Sequence, residues 1–399
     1  MAKSDLALYG GKPVRNQKLY YGHQWIDEAD IAAVEEVLRG DYLTCGPTIE
    51  RLEEKLCKVT GAKYAVACSN GTAALHIAMM AAGVGEGDEV ITTPLTFAAS
   101  ANCALYCGAT PVFADVKAET YNIDPASIRK KITPRTKAIV AVDFTGQAVE
   151  NREIREICDE YGLIFIEDSA HAIGTKYDGK PIGSLADMTC FSFHPVKTVT
   201  SGEGGAVTTN DDKYFEKLKL YRTHGITHDS AMMEETPEGP WYYEMIDVGY
   251  NYRLTDIQAA LLISQLEKLE QFSNRRKAIV NRYNEVFSGM EGLIVQQEIP
   301  ESDTTRHLYI IQLEPEKLSC TRREFFDAMA AENVQCQVHY VPVYWFPVYK
   351  RLGHEVGECP NAEQIYRNCM SIPLYPAMSD DDVEDVIKAV QKCVQAYLN

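Results

Sequence analysis

Short apolar runs and helix-length segments alternate through the first half of the chain. KYAVAC, DEVITTP, PVFADV, KAIVAVD and LIFIEDS are rich in Val, Ile and Phe, and are separated by stretches such as GTAALHIAMMAAG and ENREIREICDEYG. This alternation predicts βαβ units around a mainly parallel sheet. Val90–Ala114 carries no charged side chain and is long enough to cross a bilayer, but Pro94, Pro111 and Gly108 divide it into strand, turn, helix and strand. After Asp187 the helices drop out. FSFHP and GGAVTTND predict two consecutive strands joined by a loop containing Lys197.

A helical pattern runs from Leu254 toward Phe287, with Ile257, Leu261, Ile263, Leu266 and Leu269 near helical spacing, and is expected to bridge two domains. Between Ile226 and Glu244 the polar, aperiodic sequence predicts a long surface loop. HLYIIQLE, TRREFFDAMAAEN and a final helix after SDDDVEDVI give the C-terminal part a mixed character. The expected division is an arm over 1–24, a large domain over 25–265 and a small α+β domain over 266–399.

Composition narrows the partners. With 57 acidic against 39 basic residues the net charge is −18, which disfavours nucleic acid and anionic membranes. The 12 cysteines are scattered and no secretory segment precedes Gly10, so reduced thiols in a cytoplasmic protein are expected. Cys103 and Cys107 could share a helical face, but no CxxC or Cys/His cluster suggests a metal.

Ligands of an open parallel sheet collect at the carboxyl ends of its strands. Ser69-Asn70-Gly71-Thr72 follows KYAVAC and opens a helix, a placement for a phosphate or simply an N-cap. Phe97, after DEVITTP, could stack on a planar ring or belong to the core. Asp168 ends LIFIED and is either solvated or held against a cation. Lys197, between apolar strands and the turn SGEGG, is placed for a desolvated amine that forms imines and shuttles protons; its bland reading is a surface lysine.

Pyridoxal phosphate asks for all four together: an imine-forming lysine, a carboxylate at the pyridine nitrogen, a ring on its face and a phosphate nest. Two rival motifs fail. Gly83-x-Gly85-x-Gly87 follows a helix and precedes a strand, the reverse of a dinucleotide turn, and no GxSxG elbow is present.

EDSAHAIGT, SFHPVKTVTSGEGGAVTTND, SNGTAAL and GYNYRLTDIQAAL together resemble the DegT/DnrJ/StrS-type nucleotide-sugar aminotransferases, fold-type I pyridoxal phosphate enzymes. The resemblance runs from about Trp25 to near the C-terminus. GQAVENREIREICDEYGL and QVHYVPVY are most similar to the UDP-4-amino-4,6-dideoxy-N-acetyl-beta-L-altrosamine transaminases. It implies an α/β fold whose large domain has a mainly parallel seven-stranded sheet between helices, with a smaller α+β C-terminal domain.

For the site, the resemblance implies Lys197 as the imine lysine, Asp168 at the pyridine nitrogen and Phe97 on the ring, with His171 near the phenolic oxygen. Gly71, Thr72 and Ser192 match phosphate-binding positions, and Asn251 one reached from the neighbouring subunit of a homodimer. Arg253 and His339 fall in segments lining the sugar side. The implied reaction moves an amino group from L-glutamate to a nucleotide-linked keto-sugar in bacterial amino-sugar biosynthesis. The alternatives are a sugar dehydratase, in which histidine replaces the lysine, and a non-catalytic regulatory protein on the same scaffold.

Overall fold

The computed structural model describes residues 1–399. Helices α1 (Glu28–Arg39) and α2 (Pro47–Thr60) lead into β1 (Tyr64–Cys68) and α3 (Gly71–Ala81). Then come β2 (Glu89–Thr92), α4 (Ala99–Tyr106), β3 (Thr110–Phe113), α5 (Pro125–Lys131), β4 (Thr136–Val142), α6 (Asn151–Tyr161) and β5 (Ile164–Asp168). Strands β6 (Met188–Ser192) and β7 (Gly205–Thr209) follow without a helix between them, as the sequence predicts, and α7 (Asp212–Arg222) closes the unit.

These strands form one seven-stranded sheet in the order β1-β7-β6-β5-β4-β2-β3, and only β7 runs against the rest. Alternate residues feed opposite faces, the period-two rule of a strand. Val66, Val90, Val140, Ile166, Cys190 and Val207 pack beneath α3, α4 and α7. Their neighbours Ala67, Ile91, Ile139, Phe165, Phe191 and Ala206 pack toward α2, α6 and a further helix, α8 (Asp256–Glu267). Asp168 shares the parity of Ile166 and Glu167 that of Phe165, so adjacent carboxylates point to opposite faces.

The helical pattern after Leu254 is two helices, α8 (Asp256–Glu267) and α9 (Leu269–Phe287), broken at Lys268. The inward residues of α8 are Ala259, Ala260, Leu262, Gln265 and Leu266, whereas Ile257, Leu261 and Ile263 are half-buried. The start of α9 joins the large-sheet core through Leu269 and Phe272, and its end joins a second core through Ile279, Tyr283 and Phe287. That second core covers an antiparallel sheet of β8 (Leu293–Val295), β9 (Tyr309–Leu313) and β10 (Cys369–Ile372). Leu6 and Leu19 of the N-terminal arm are buried in it, and Leu19 exchanges backbone bonds with Asn333 and Gln335.

The polar excursion after Ile226 is closed at its base by pairing of Ile226–Thr227 with Glu244–Met245. The Glu244 carboxylate accepts the amides of Glu234 (2.7 Å) and Glu235 (2.9 Å). All twelve cysteines are free, no His/Cys/Asp/Glu group is arranged to hold a metal, and no helix is long and apolar enough to cross a membrane.

Candidate active site

A cavity of about 700 Å³ opens at the carboxyl ends of the parallel strands, roofed by residues of the second sheet's neighbourhood and by Tyr21 of the arm. Strand geometry delivers its floor. Helix α3 begins where β1 ends, and Asn70 caps it by accepting the Ala73 amide (2.8 Å). The Gly71 and Thr72 amides have no acceptor in the protein, as expected of a helix's first turn, and they face the cavity. A Cβ on Gly71 would lie 2.8 Å from the Ser192 Cβ, so helix and strand touch only because this residue is glycine. Free first-turn amides, the Thr72 and Ser192 hydroxyls and the positive end of α3 form a cradle suited to a phosphate.

Asp168 is buried at the end of β5. Its Oδ2 accepts a 2.6 Å bond from Ser100 Oγ of α4, and its Oδ1 accepts the Ala170 amide. Burial raises its pKa, while Ser100, the Ala170 amide and the charge of Lys197 pull it back. On the sheet's other face Glu167 accepts Asn151 Nδ2 (2.9 Å), and Asp143 accepts Ser169 Oγ (2.5 Å) and the Val149 amide (2.9 Å). Desolvation lifts the Glu167 carboxyl to about 7 and the Asp143 carboxyl well above its usual range.

Lys197 rides on the β6–β7 connection, which is stapled shut. Phe193 N donates to Gly204 O, Ser201 N and Thr200 Oγ1 donate to Phe193 O, and Lys197 N donates to His194 O. The amine faces the cavity with Asp168. Desolvation brings its pKa down to about 8, against the opposing pull of Asp168.

Phe97 lines the mouth at 63% exposure, which rules out a core role, and its ring lies edge-on to Tyr340 at 6.3 Å. His171 and His339 also line the cavity; His339 Nδ1 pairs with Ser371 Oγ (2.8 Å), and burial lowers its pKa to about 4. Of the residues singled out in the sequence, Gly71, Thr72, Phe97, Asp168, His171, Ser192, Lys197 and His339 converge here. Asn251 and Arg253 do not line the cavity of their own chain; Asn251 is exposed and bridges Thr223 on the surface.

Sequence reasoning missed Tyr21, Ser100, His307 and Tyr340. Tyr340 adjoins His339 inside a quoted motif, so a signal was present. His307 precedes strand β9 and Tyr21 sits in the arm, and neither occupies a strand's carboxyl end.

Residues 24–391 match the DegT/DnrJ/EryC1/StrS aminotransferase family. The chain belongs to that family. It is 41% identical over 383 residues to the spore coat polysaccharide biosynthesis protein SpsC of Bacillus subtilis, covering 96% of this chain and 98% of that one. It is 39% identical over 369 residues to the UDP-4-amino-4,6-dideoxy-N-acetyl-beta-L-altrosamine transaminase of Campylobacter jejuni, covering 92% and 95%. Among solved structures, Helicobacter pylori PseC, an aminotransferase involved in the biosynthesis of pseudoaminic acid, superposes with a TM-score of 0.89. The identity there is 32%, and coverage is 96% of this chain and 100% of that one. Solved structural relatives include forms with pyridoxal and pyridoxamine phosphate. The protein is an aminotransferase of fold-type I, and its cofactor is pyridoxal phosphate. The glycine cradle, the free amides and the facing Lys197 and Asp168 fit that group.

Proposed function

We propose that this aminotransferase moves the amino group of L-glutamate to a nucleotide-linked keto-sugar, at C4 of a UDP-4-keto-6-deoxy-HexNAc, in bacterial amino-sugar biosynthesis. We place it in the cytoplasm as a homodimer. The observation that carries the chemistry is the facing of Lys197, its amine brought down to about 8, and the buried carboxylate of Asp168 in one cavity.

Bound pyridoxal phosphate supplies an electron sink for the carbanion left when a substrate carbon loses its proton. Gly71, Thr72 and Ser192 would hold its phosphate, Phe97 would cover its ring and His171 would face its phenolic oxygen. Asp168 would hold a proton at the pyridine nitrogen. Lys197 Nζ would anchor the cofactor and, when its amine is free, would take up the donor's Cα proton and later give it back. A lysine near 8 is partly neutral at physiological pH, as a base must be. Retention of that lysine favours transamination over dehydration, and the facing acid favours an enzyme over a regulatory scaffold.

The homodimer reading rests on charge and exposure. Donor and nucleotide sugar are both anionic, yet no arginine lines the cavity. Arg253 makes no ion pair in its own chain, Asn251 points to solvent, and Tyr243, Met245 and Val248 are exposed beside them. A two-fold partner would cover these apolar side chains and bring Asn251 and Arg253 to the other subunit's cavity.

The experiment is to incubate cofactor-loaded protein with L-glutamate and a panel of nucleotide 4-keto-sugars, reading 2-oxoglutarate and amino-sugar by mass. Absence of any amino-sugar across UDP- and TDP-linked 4-keto acceptors would count against the proposed acceptor. Borohydride reduction and peptide mapping should place the pyridoxyl adduct on Lys197, and an adduct mainly on another lysine would overturn that role.

A further inference from the structure

Two imidazoles stand out among the buried polar groups. His171 and His307 are 6% and 5% exposed, with ring centroids 4.3 Å apart and planes tilted by 38°. Neither ring makes a hydrogen bond within the protein. Each Nδ1 is buried without a partner, which leaves Nε2 as the nitrogen open to the cavity that both rings line. Buried polar side chains are nearly always satisfied, so a pair of bare imidazoles marks the position of something that binds.

The backbone around His307 is fixed with unusual force. Thr145 and Arg306 both adopt left-handed conformations (φ +62° and +60°), and His307 N donates to Thr145 O at 2.8 Å. Thr304 Oγ1 bonds Gly146 O (2.7 Å) and Thr305 N bonds Thr175 Oγ1 (3.0 Å). A Cβ on Gly146 would lie 2.9 Å from both His171 O and His307 N, so the two histidine-bearing segments are clamped through a glycine.

The field at this pair is positive. Behind His307 lies Arg276, fully buried, without a carboxylate partner; its Nη1 donates to the carbonyls of Arg306, His307 and Leu374. The other cationic group acting on His307 is Lys197, since burial keeps the neighbouring His171 and His339 imidazoles neutral. Burial holds both imidazoles well below their ordinary range, so each is neutral and can turn an Nε2–H toward the cavity. Two N–H donors in a positive field, where no arginine of the same chain lines the wall, suit a carboxylate.

We infer that His307, beside His171, binds a carboxylate of the amino donor. The inference rests on the aminotransferase reading and adds to it a donor-specific residue. His171 keeps its place by the cofactor, and His307 addresses the acid that arrives with the amine.

The test uses the pyridoxal phosphate-loaded enzyme and glutarate, a dicarboxylate with no amine to react. Wild type, His307→Leu and His307→Gln, matched for cofactor content and melting temperature, are titrated by calorimetry. Loss of a charged hydrogen bond should weaken glutarate about tenfold or more in His307→Leu, and less in His307→Gln, which keeps one donor. KM for L-glutamate should rise in step, while KM for the keto-sugar stays unchanged. Glutarate affinities within about twofold of wild type in the variants, or no binding to wild type, overturn the inference. If the leucine variant does not fold, His307→Ala, which also lacks a donor, takes its place under the same criterion. Conversion of wild type to its pyridoxamine form by L-glutamate is followed separately by absorbance: its failure removes the aminotransferase reading, whereas its success with unaffected variants removes only the carboxylate site.

Discussion

Replacing Gly71 by alanine tests the phosphate cradle with a single methyl group. Gly71 has no positive φ, so alanine suits its backbone, and helix propensity by itself favours the change. The cost comes from contact. The new Cβ would stand 2.8 Å from Ser192 Cβ and 3.2 Å from Ser192 Oγ, where carbon atoms ordinarily rest about 3.5–4.0 Å apart. The start of α3 must therefore retreat from β6 by a large part of an ångström. Overpacking of this kind costs about 1–3 kcal/mol.

With the cradle empty only the first turn of α3 need shift, since the rest of the helix is buried in the core of the large sheet. Phosphate binding pulls the Gly71 and Thr72 amides back toward Ser192, so the strain should appear in cofactor affinity as a roughly 5- to 150-fold rise in Kd. Apoprotein is titrated with pyridoxal phosphate by fluorescence, and in parallel with pyridoxal, which lacks the phosphate. The loss should be specific to the phosphorylated ligand. A Kd for pyridoxal phosphate within about twofold of wild type, or an equal loss for both ligands, would refute the cradle.

Lys197→Ala should abolish turnover while still binding cofactor; in wild type, the rate of covalent cofactor loading should rise with pH through a midpoint near about 8, since only the neutral amine attacks. Asp168→Asn should be severely impaired in turnover, and Ser100→Ala should be milder, because the carboxylate survives but loses a 2.6 Å bond; equal rates across the three proteins would contradict the role of Asp168. For Glu167, folding raises the pKa to about 7, so the folded state holds the proton more tightly and its stability falls as pH rises from about 4.5 through 7. Glu167→Gln should gain melting temperature relative to wild type between pH 5 and pH 8, and a constant difference would falsify this titration. Finally, Lys197→Ala and an inactivating Asn251 variant, unfolded and refolded together, should recover activity in mixed dimers, and persistent inactivity despite proven hetero-dimers would exclude a shared site.

The parallel sheet was legible because most of its strands are short apolar runs with a glycine, proline or cap nearby, and burial on both faces leaves little polar alternation to confuse the reading. The absence of a helix between β6 and β7 was legible for the same reason, and it is what puts Lys197 on a short connection. The break between α8 and α9 was not. Neither glycine nor proline marks Lys268; it is held by a tertiary cluster, its amine bridging Asp27 (2.8 Å) and Asp30 (2.6 Å) of the α1 region. A pattern of apolar residues cannot report an ion pair formed across more than 230 positions of chain.

The site divides along the same line. Lys197, Asp168, Gly71 and Phe97 follow or end strands of one sheet, so topology alone converges them, and a reader of the sequence needs only the rule that ligands bind at carboxyl ends. His307 enters from the amino side of a strand in a different sheet, and its approach to His171 depends on the close contact at Gly146 and on two left-handed residues, Thr145 and Arg306. Tyr21 arrives because Leu6 and Leu19 anchor the arm in the second core. Such groups are set by packing between units, which the apolar pattern of the large sheet's strands does not report.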